Sequence, residues 1–277
     1  MDKNTAQEAD AQYKENTTED ELTIEVVITK YGNYIYNLAL KLSSNPEDAN
    51  DLAQETFIKA WKHIADVKEP IAIKKWLRTI CVNEFRMMIR KEKRDNICYV
   101  ENVEDLEKDS TLLINVSPLV IDEIQTTEEV IKLRNGCFLA MTRKLTLNQR
   151  ITFSLIDMFG LSKNEVSEIL GLSEKAVKGL LYRARMNLES FFQGHCSFLD
   201  INNPCSCTAW IEFMQNRSQL QEEMKQKIDI LDYKERGYSF DSNVRQKILH
   251  YYNNMPDQRP SQEWYEKVIE LVKKSYN

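Results

Sequence analysis

The sequence predicts an all-α fold: two helical domains joined by an acidic linker, the second a helix-turn-helix, followed by a helical C-terminal extension. Three observations predict it. Apolar residues recur at three- and four-residue spacing rather than alternating, which is the period of amphipathic helices. Only 7 Gly and 6 Pro interrupt 277 residues, too few punctuators for a chain of short strands and turns. Charge is sorted by segment: Lys74, Lys75, Arg78, Arg86, Arg90, Lys91, Lys93 and Arg94 face only Glu84 and Glu92 between Lys74 and Arg94. From Asp95 to Glu129 the balance reverses, with Glu101, Glu104, Asp105, Glu107, Asp109, Asp122, Glu123, Glu128 and Glu129 set against Lys108.

A chain of this length exceeds the usual single domain. The expected divisions are a disordered polar tail over 1–21, a helical domain over 22–95, the acidic linker over 96–127, a helix-turn-helix domain over 128–193 and a Cys-containing helical extension over 194–277. The tail has no apolar signal core, and no later run approaches the roughly 18 apolar residues that span a bilayer. A cytoplasmic chain without membrane insertion is expected. Its net charge of −6 argues against nucleic acid only as an average, because the basic residues are gathered where they can act together.

In the first domain, Asp48 to Lys62 reads as a helix with Leu52, Ala53, Phe57, Ala60 and Trp61 on one arc and Asp48, Asp51, Gln54, Glu55, Ile58 and Lys59 opposite. A solvated face explains that polar arc as well as a docking face does, although an apolar Ile58 among carboxylates suits an anchored protein partner. From Lys74 to Arg94 the period buries Leu77, Ile80, Cys81, Phe85 and Met88 and displays Lys75, Arg78, Arg86 and Lys93. Trp76, Asn83, Arg90 and Arg94 lie at the edge. Such a strip combines phosphate neutralisation with an amide and an aromatic ring able to receive an unstacked base, though a plain solvated basic face has the same pattern.

In the second domain, Ser162-Lys163-Asn164-Glu165 has the form of a capping box, Gly171 ends the helix it starts, and Ser173 caps another. Val177, Leu181, Ala184 and Leu188 fall on the inner face of that second helix. Glu174, Lys175, Lys178, Gly179 and Tyr182 turn outward, where a major groove can be reached, with Arg183 and Arg185 beside them for flanking phosphates. A helical hairpin with merely solvated cations is the plain alternative, but capping, turn glycine and basic outer face agree on DNA.

Cys81, Cys98 and Cys137 are scattered, as reduced thiols of a cytosolic protein are. His195, Cys196, Cys205 and Cys207 instead lie close together, three thiols and an imidazole that suit zinc or another soft metal ion such as copper(I). No cofactor is otherwise required. The extension beyond carries Trp210, Phe213, Tyr251, Tyr252, Trp264 and Tyr265, enough apolar surface for a small helical appendage that docks on the two modules. No phosphate-binding Gly loop, HExxH helix or two-metal carboxylate cluster is present, so no enzyme is expected.

Taken together the segments resemble an RNA polymerase sigma factor of the extracytoplasmic-function type. Asp48 to Trp61 (DANDLAQETFIKAW) is similar to that family's helix for the clamp of the polymerase, Trp76 to Asn83 (WLRTICVN) with its basic tail to its promoter-melting segment, and Leu145 to Leu188 to its upstream-element reader. The likeness runs from about Tyr31 to Phe192. It implies that Asp48, Asp51, Gln54, Glu55, Phe57 and Ile58 meet the clamp helices of the largest polymerase subunit. It further implies that Trp76, Arg78, Asn83, Arg86, Arg90 and Arg94 hold the melted minus-ten element, and that the helix opening at Ser173 reads the minus-thirty-five element. Core RNA polymerase and promoter DNA are the implied partners, and an anti-sigma factor is a further partner the resemblance allows. Two features depart from the pattern: Met87 stands where an acidic residue often follows the asparagine, and about 85 residues continue past the reader helix. The competing reading is a stand-alone, metal-responsive helix-turn-helix regulator that never touches polymerase.

Overall fold

The computed structural model describes residues 23–64, 67, 72–92, 123–200, 202, 203, 205, 207 and 242–275. The polar tail, the acidic linker up to residue 122, and Arg94, Cys98, Trp210 and Phe213 lie outside the described residues. Among the described residues every regular element is helical, and the sole strand-like pairing is an isolated bridge between Cys196 and Cys205.

Helix α1 (Ile24–Ser43) starts where Thr23 Oγ1 accepts the Val26 amide, and it stops at Ser44, whose φ of 59° is left-handed. A residue with a Cβ adopts that conformation at a cost of about 1 kcal/mol, so something must hold it. Its amide donates to the Leu40 carbonyl at 2.7 Å, and its hydroxyl engages Thr142 and Arg150 at 2.9 and 3.1 Å. The turn then feeds α2 (Pro46–Lys62), capped by Asn45 and opened by Pro46, whose missing amide is not needed in a first turn. Helix α3 (Ile73–Glu92) closes the bundle. Ile28, Ile35, Leu38, Leu42, Leu52, Phe57, Leu77, Cys81 and Phe85 fill the core, removed from water.

The second unit comprises α4 (Glu123–Thr142), α5 (Leu147–Phe153) continuing into a π-helical turn (Ser154–Met158), α6 (Lys163–Leu170) and α7 (Glu174–Phe192). Helix α4 begins inside the stretch expected to be linker, because Glu123 to Glu129 carries no apolar period to announce it. The α6 capping box forms as read: the Glu165 amide donates to Ser162 Oγ at 3.2 Å and the Ser162 amide to Glu165 Oε2 at 2.9 Å. Gly171 ends α6 at φ 65°, and Ser173 caps α7.

The extension supplies α8 (Ser242–Asn253) and α9 (Gln262–Lys274). These do not form a separate appendage. Helix α8 packs on α7 and the π-turn of the second unit, whereas α9 packs on α1 and α2 of the first. One short segment of chain therefore spans both units.

Gly171 isolates the backbone contribution of the helix-turn-helix. An added Cβ would meet nothing within 4 Å, so Gly171→Ala costs only the left-handed conformation, about 1 kcal/mol. The midpoint of urea unfolding should fall accordingly, and an unchanged midpoint would contradict this account of the turn.

Candidate nucleic-acid and protein interface

Helix α2 presents its carboxylates unevenly. Asp51 and Glu55 are exposed, Gln54 and Ile58 half-buried, and Asp48 is drawn inward. Burial pushes the Asp48 carboxyl above its ordinary range, while Arg143 and Arg150 of the second unit pull it down. Phe57, expected both on the apolar arc and in the contact set, is wholly buried. It can only brace the helix from inside, since no partner reaches its ring. Lys59 leaves the polar arc to place Nζ 2.7 Å from Glu84 Oε1, tying α2 to α3.

Along α3, Ile73, Leu77, Cys81, Val82 and Phe85 turn inward, and Lys74, Lys75, Asn83, Met87 and Arg90 remain exposed. Arg86 and Trp76 sit half-buried between them, so an amide, an indole and four cations lie along one helix. Two of the basic residues pair with carboxylates of the second unit. Lys75 Nζ lies 2.6 Å from Glu168 Oε2, and Arg78 Nη1 lies 3.7 Å from Glu165 Oε1. Arg78 is 7% exposed, and its Nε is buried with no hydrogen-bond partner. Both carboxylates belong to α6, the first helix of the helix-turn-helix.

On α7, Val177, Leu181, Ala184 and Leu188 are buried, and Glu174, Lys175, Lys178, Tyr182 and Arg183 are exposed on the opposite side. Tyr182 is a large ring left 61% exposed. Ser173 Oγ accepts the Ala176 amide at 3.2 Å, so this hydroxyl sets the start of the helix. Arg185 departs from the outward set. Its Nε and Nη2 donate to the two carboxylate oxygens of Asp157 at 3.0 and 2.6 Å, a fork that clamps α7 to the π-turn. A lone carboxylate within the apolar run Ile156-Asp157-Met158 was the available signal that a buried cation partner existed.

The Cys region takes in Cys137, a thiol that the sequence sets far apart from it. Cys196 and Cys205 are joined through backbone bonds, Ser197 N–H to Cys205 O at 3.0 Å and Cys205 N–H to His195 O at 2.9 Å. Cys137 of α4 comes within electrostatic reach of Cys196, Cys205 and Cys207, and burial foremost pushes its thiol well up. The His195 imidazole is turned to the side, with Nδ1 3.1 Å from the Gln193 carbonyl and its ring stacked along Phe191. Among the described residues no three His, Cys, Asp or Glu side chains are arranged to hold a metal ion. His195 and Cys196, adjacent in sequence, turn to different neighbours: the imidazole to the Gln193 carbonyl and the Phe191 ring, the thiol towards Cys137 and Cys207.

Residues 27–95 match the Sigma-70 region 2 family and residues 135–188 the Sigma-70 region 4 family. The first match covers α2 and α3 with their acidic and basic faces, and the second covers the helix-turn-helix. The chain belongs to the sigma-70 family of RNA polymerase sigma factors, in its extracytoplasmic-function branch. This sigma factor is 27% identical over 171 residues to the sigma factor SigM of Bacillus subtilis, covering 62% of the present chain and 96% of SigM. It is 28% identical over 172 residues to SigE of Mycolicibacterium smegmatis, covering 62% of each. It is also 28% identical over 166 residues to CnrH of Cupriavidus metallidurans, covering 59% of this chain and 83% of CnrH. Among solved structures, the sigma factor RpoE of Bartonella quintana, crystallised with the anti-sigma factor NepR, aligns with a TM-score of 0.44 at 24% identity. That alignment covers 61% of this chain and 96% of RpoE. No helix among the described residues is long and apolar enough to cross a membrane.

The two arginines of α7 separate stability from contact. Arg185→Ala strands the Asp157 carboxylate in a buried site and should cost about 3 kcal/mol, read as a fall in the thermal midpoint. Arg183→Ala, on the exposed face, should leave the midpoint within experimental scatter. Equal effects of the two substitutions would refute this division.

Proposed function

We propose that this sigma factor joins core RNA polymerase through the α2 surface and brings it to promoters read by α3 and α7. Asp48, Asp51, Gln54, Glu55 and Ile58 form the contact for the clamp helices of the largest subunit, with the exposed carboxylates setting register and Ile58 the apolar anchor. Asn83, Arg86, Arg90 and Trp76 receive the melted strand of the minus-ten element, phosphates meeting the guanidinium groups and a base meeting the indole. Helix α7 enters the major groove of the minus-thirty-five element, where Lys175, Lys178 and Tyr182 reach base edges and Arg183 fixes the helix on the backbone. The catalytic centre is that of the polymerase. The chain contributes specificity and acts in the cytoplasm, where core enzyme and template are.

One observation carries this reading: an exposed acidic face and a basic strip lie on consecutive helices of the region 2 match, followed by a region 4 helix whose free face is basic and aromatic. A stand-alone regulator has no use for the first of these.

Retention of the chain by immobilised core polymerase should be lost with Gln54→Ala combined with Glu55→Lys. Transcription from a selected promoter should fall roughly 5- to 150-fold with Lys178→Ala, the equivalent of losing one good base contact of about 1–3 kcal/mol, while retention on core persists. A chain that binds promoter DNA yet is never retained by core polymerase would establish the stand-alone reading instead.

A further inference from the structure

We propose that the C-terminal extension is an intramolecular clasp that holds the two DNA-binding modules against each other and keeps Lys75 and Arg78 of the basic α3 strip from promoter DNA. The proposal rests on the sigma-factor reading above and adds to it a state that must be opened.

The clasp is seated at both ends. On the first module, Trp264, Val268 and Val272 of α9 are buried, and Trp264 meets Tyr36 edge to face at 5.6 Å. Asn37 donates to the Gln258 carbonyl and accepts the Gln258 amide, each at 2.8 Å. The buried Lys41 reaches Asp257 at 2.7 Å, and Lys273 reaches Glu25 at the same distance. Gly32 lies so near α9 that a Cβ there would stand 2.5 Å from the Tyr265 ring. On the second module, Tyr252 of α8 is wholly buried, donates to the Phe138 carbonyl at 2.6 Å and meets Phe153 edge-on at 4.9 Å. Arg245 Nε contacts the carboxylate of Glu189, a side chain 0% exposed, at 2.5 Å. Residues 254–261 are all that separates α8 from α9, and Asp257 and Gln258 within them are themselves pinned to α1. With both helices seated, little slack is left for the modules to part.

That closure decides what the basic helix can offer. Lys75 and Arg78 of α3 are occupied by Glu168 and Glu165 of α6, carboxylates standing where phosphates would have to come. This occlusion does not sustain itself. The Lys75–Glu168 pair is exposed on both sides, and exposed pairs contribute little. Arg78 is buried with its Nε unpaired, which penalises the closed contact. The clasp supplies what the interface lacks. Asp51 and Glu55 stay exposed on α2, so core polymerase can meet the closed chain, and the restraint falls on the DNA steps that follow.

The test attacks the α1–α9 seam of the full chain from its two sides. Gly32→Leu places a side chain where Tyr265 packs, at a helical position where leucine favours the fold of α1; Val268→Asp puts a charge into the buried face of α9. Neither residue lies in the proposed polymerase or DNA contacts. Solution scattering should show a larger radius of gyration for both variants than for the parent chain. At saturating core polymerase, promoter opening should rise by about tenfold, within the usual range of coupling between sites. A lost stabilising contact alone would lower activity, not raise it. The clasp is overturned if neither variant expands, or if they expand and promoter opening stays level or falls. If the variants expand but neither they nor the parent chain are retained by core polymerase, the clasp stands as a structural device and the sigma-factor reading fails.

Discussion

A helix that carries a run of cations cannot rest comfortably without anions, and in this chain the requirement is met twice. Helix α3 carries Lys75 and Arg78 towards whatever faces it, and in the closed molecule the facing groups are Glu165 and Glu168. Much of the remaining architecture is arranged around those two carboxylate contacts. Ser44 holds a left-handed turn so that its hydroxyl can engage Thr142 and Arg150 across the junction, and Ser154 donates to the Lys41 carbonyl from the π-turn at 3.1 Å. Tyr34 and Phe159 meet edge to face between the modules at 5.6 Å. The junction is thus partly polar, with hydroxyl and charge pairs carrying much of its geometry, and partly polar surfaces separate more readily than continuous apolar cores.

The same residues acquire different meanings in the two states. Glu165 completes the capping box of α6 through the Ser162 amide and hydroxyl, which lowers its carboxyl pKa, with Arg78 adding a smaller pull. It therefore remains anionic whether or not Arg78 is present, and its role in the helix-turn-helix does not depend on closure. Arg78 has no such second duty. Once separated from Glu165, it gains solvent or phosphate for an Nε that the closed chain leaves without a partner. Asp48 points the same way from the polymerase side, since burial at the module junction raises its pKa and opening would return the carboxylate to water.

Most of the helices were legible from spacing alone. The caps at Ser162 and Ser173, the stop at Gly171 and the inner row Val177, Leu181, Ala184 and Leu188 all appear where local rules put them, because capping and amphipathicity act within a few residues. Contacts distant in sequence were not legible. Nothing near Arg185 announces that Asp157 awaits it 28 residues upstream, and nothing near Asn37 points to Gln258. Periodicity also cannot tell an edge residue that looks out from one that looks in, so Arg78 was assigned to a surface from which it is withdrawn, whereas the spacing turned Phe57 inward and only the resemblance placed it in the contact set. The extension illustrates the same limit: its apolar residues led to the expectation of docking on the two modules, but not to which helix meets which module.

What remains to be measured is whether those modules change partners when the polymerase arrives. Site-specific fluorophores at the exposed positions Glu47 and Lys163, one on each module, would report their separation in the free full-length chain and again in complex with core polymerase and promoter. A single short distance in the free chain that lengthens in the promoter complex is the predicted result. A distance that stays the same in both, with transcription proceeding normally, would contradict the idea that these carboxylates are exchanged for DNA.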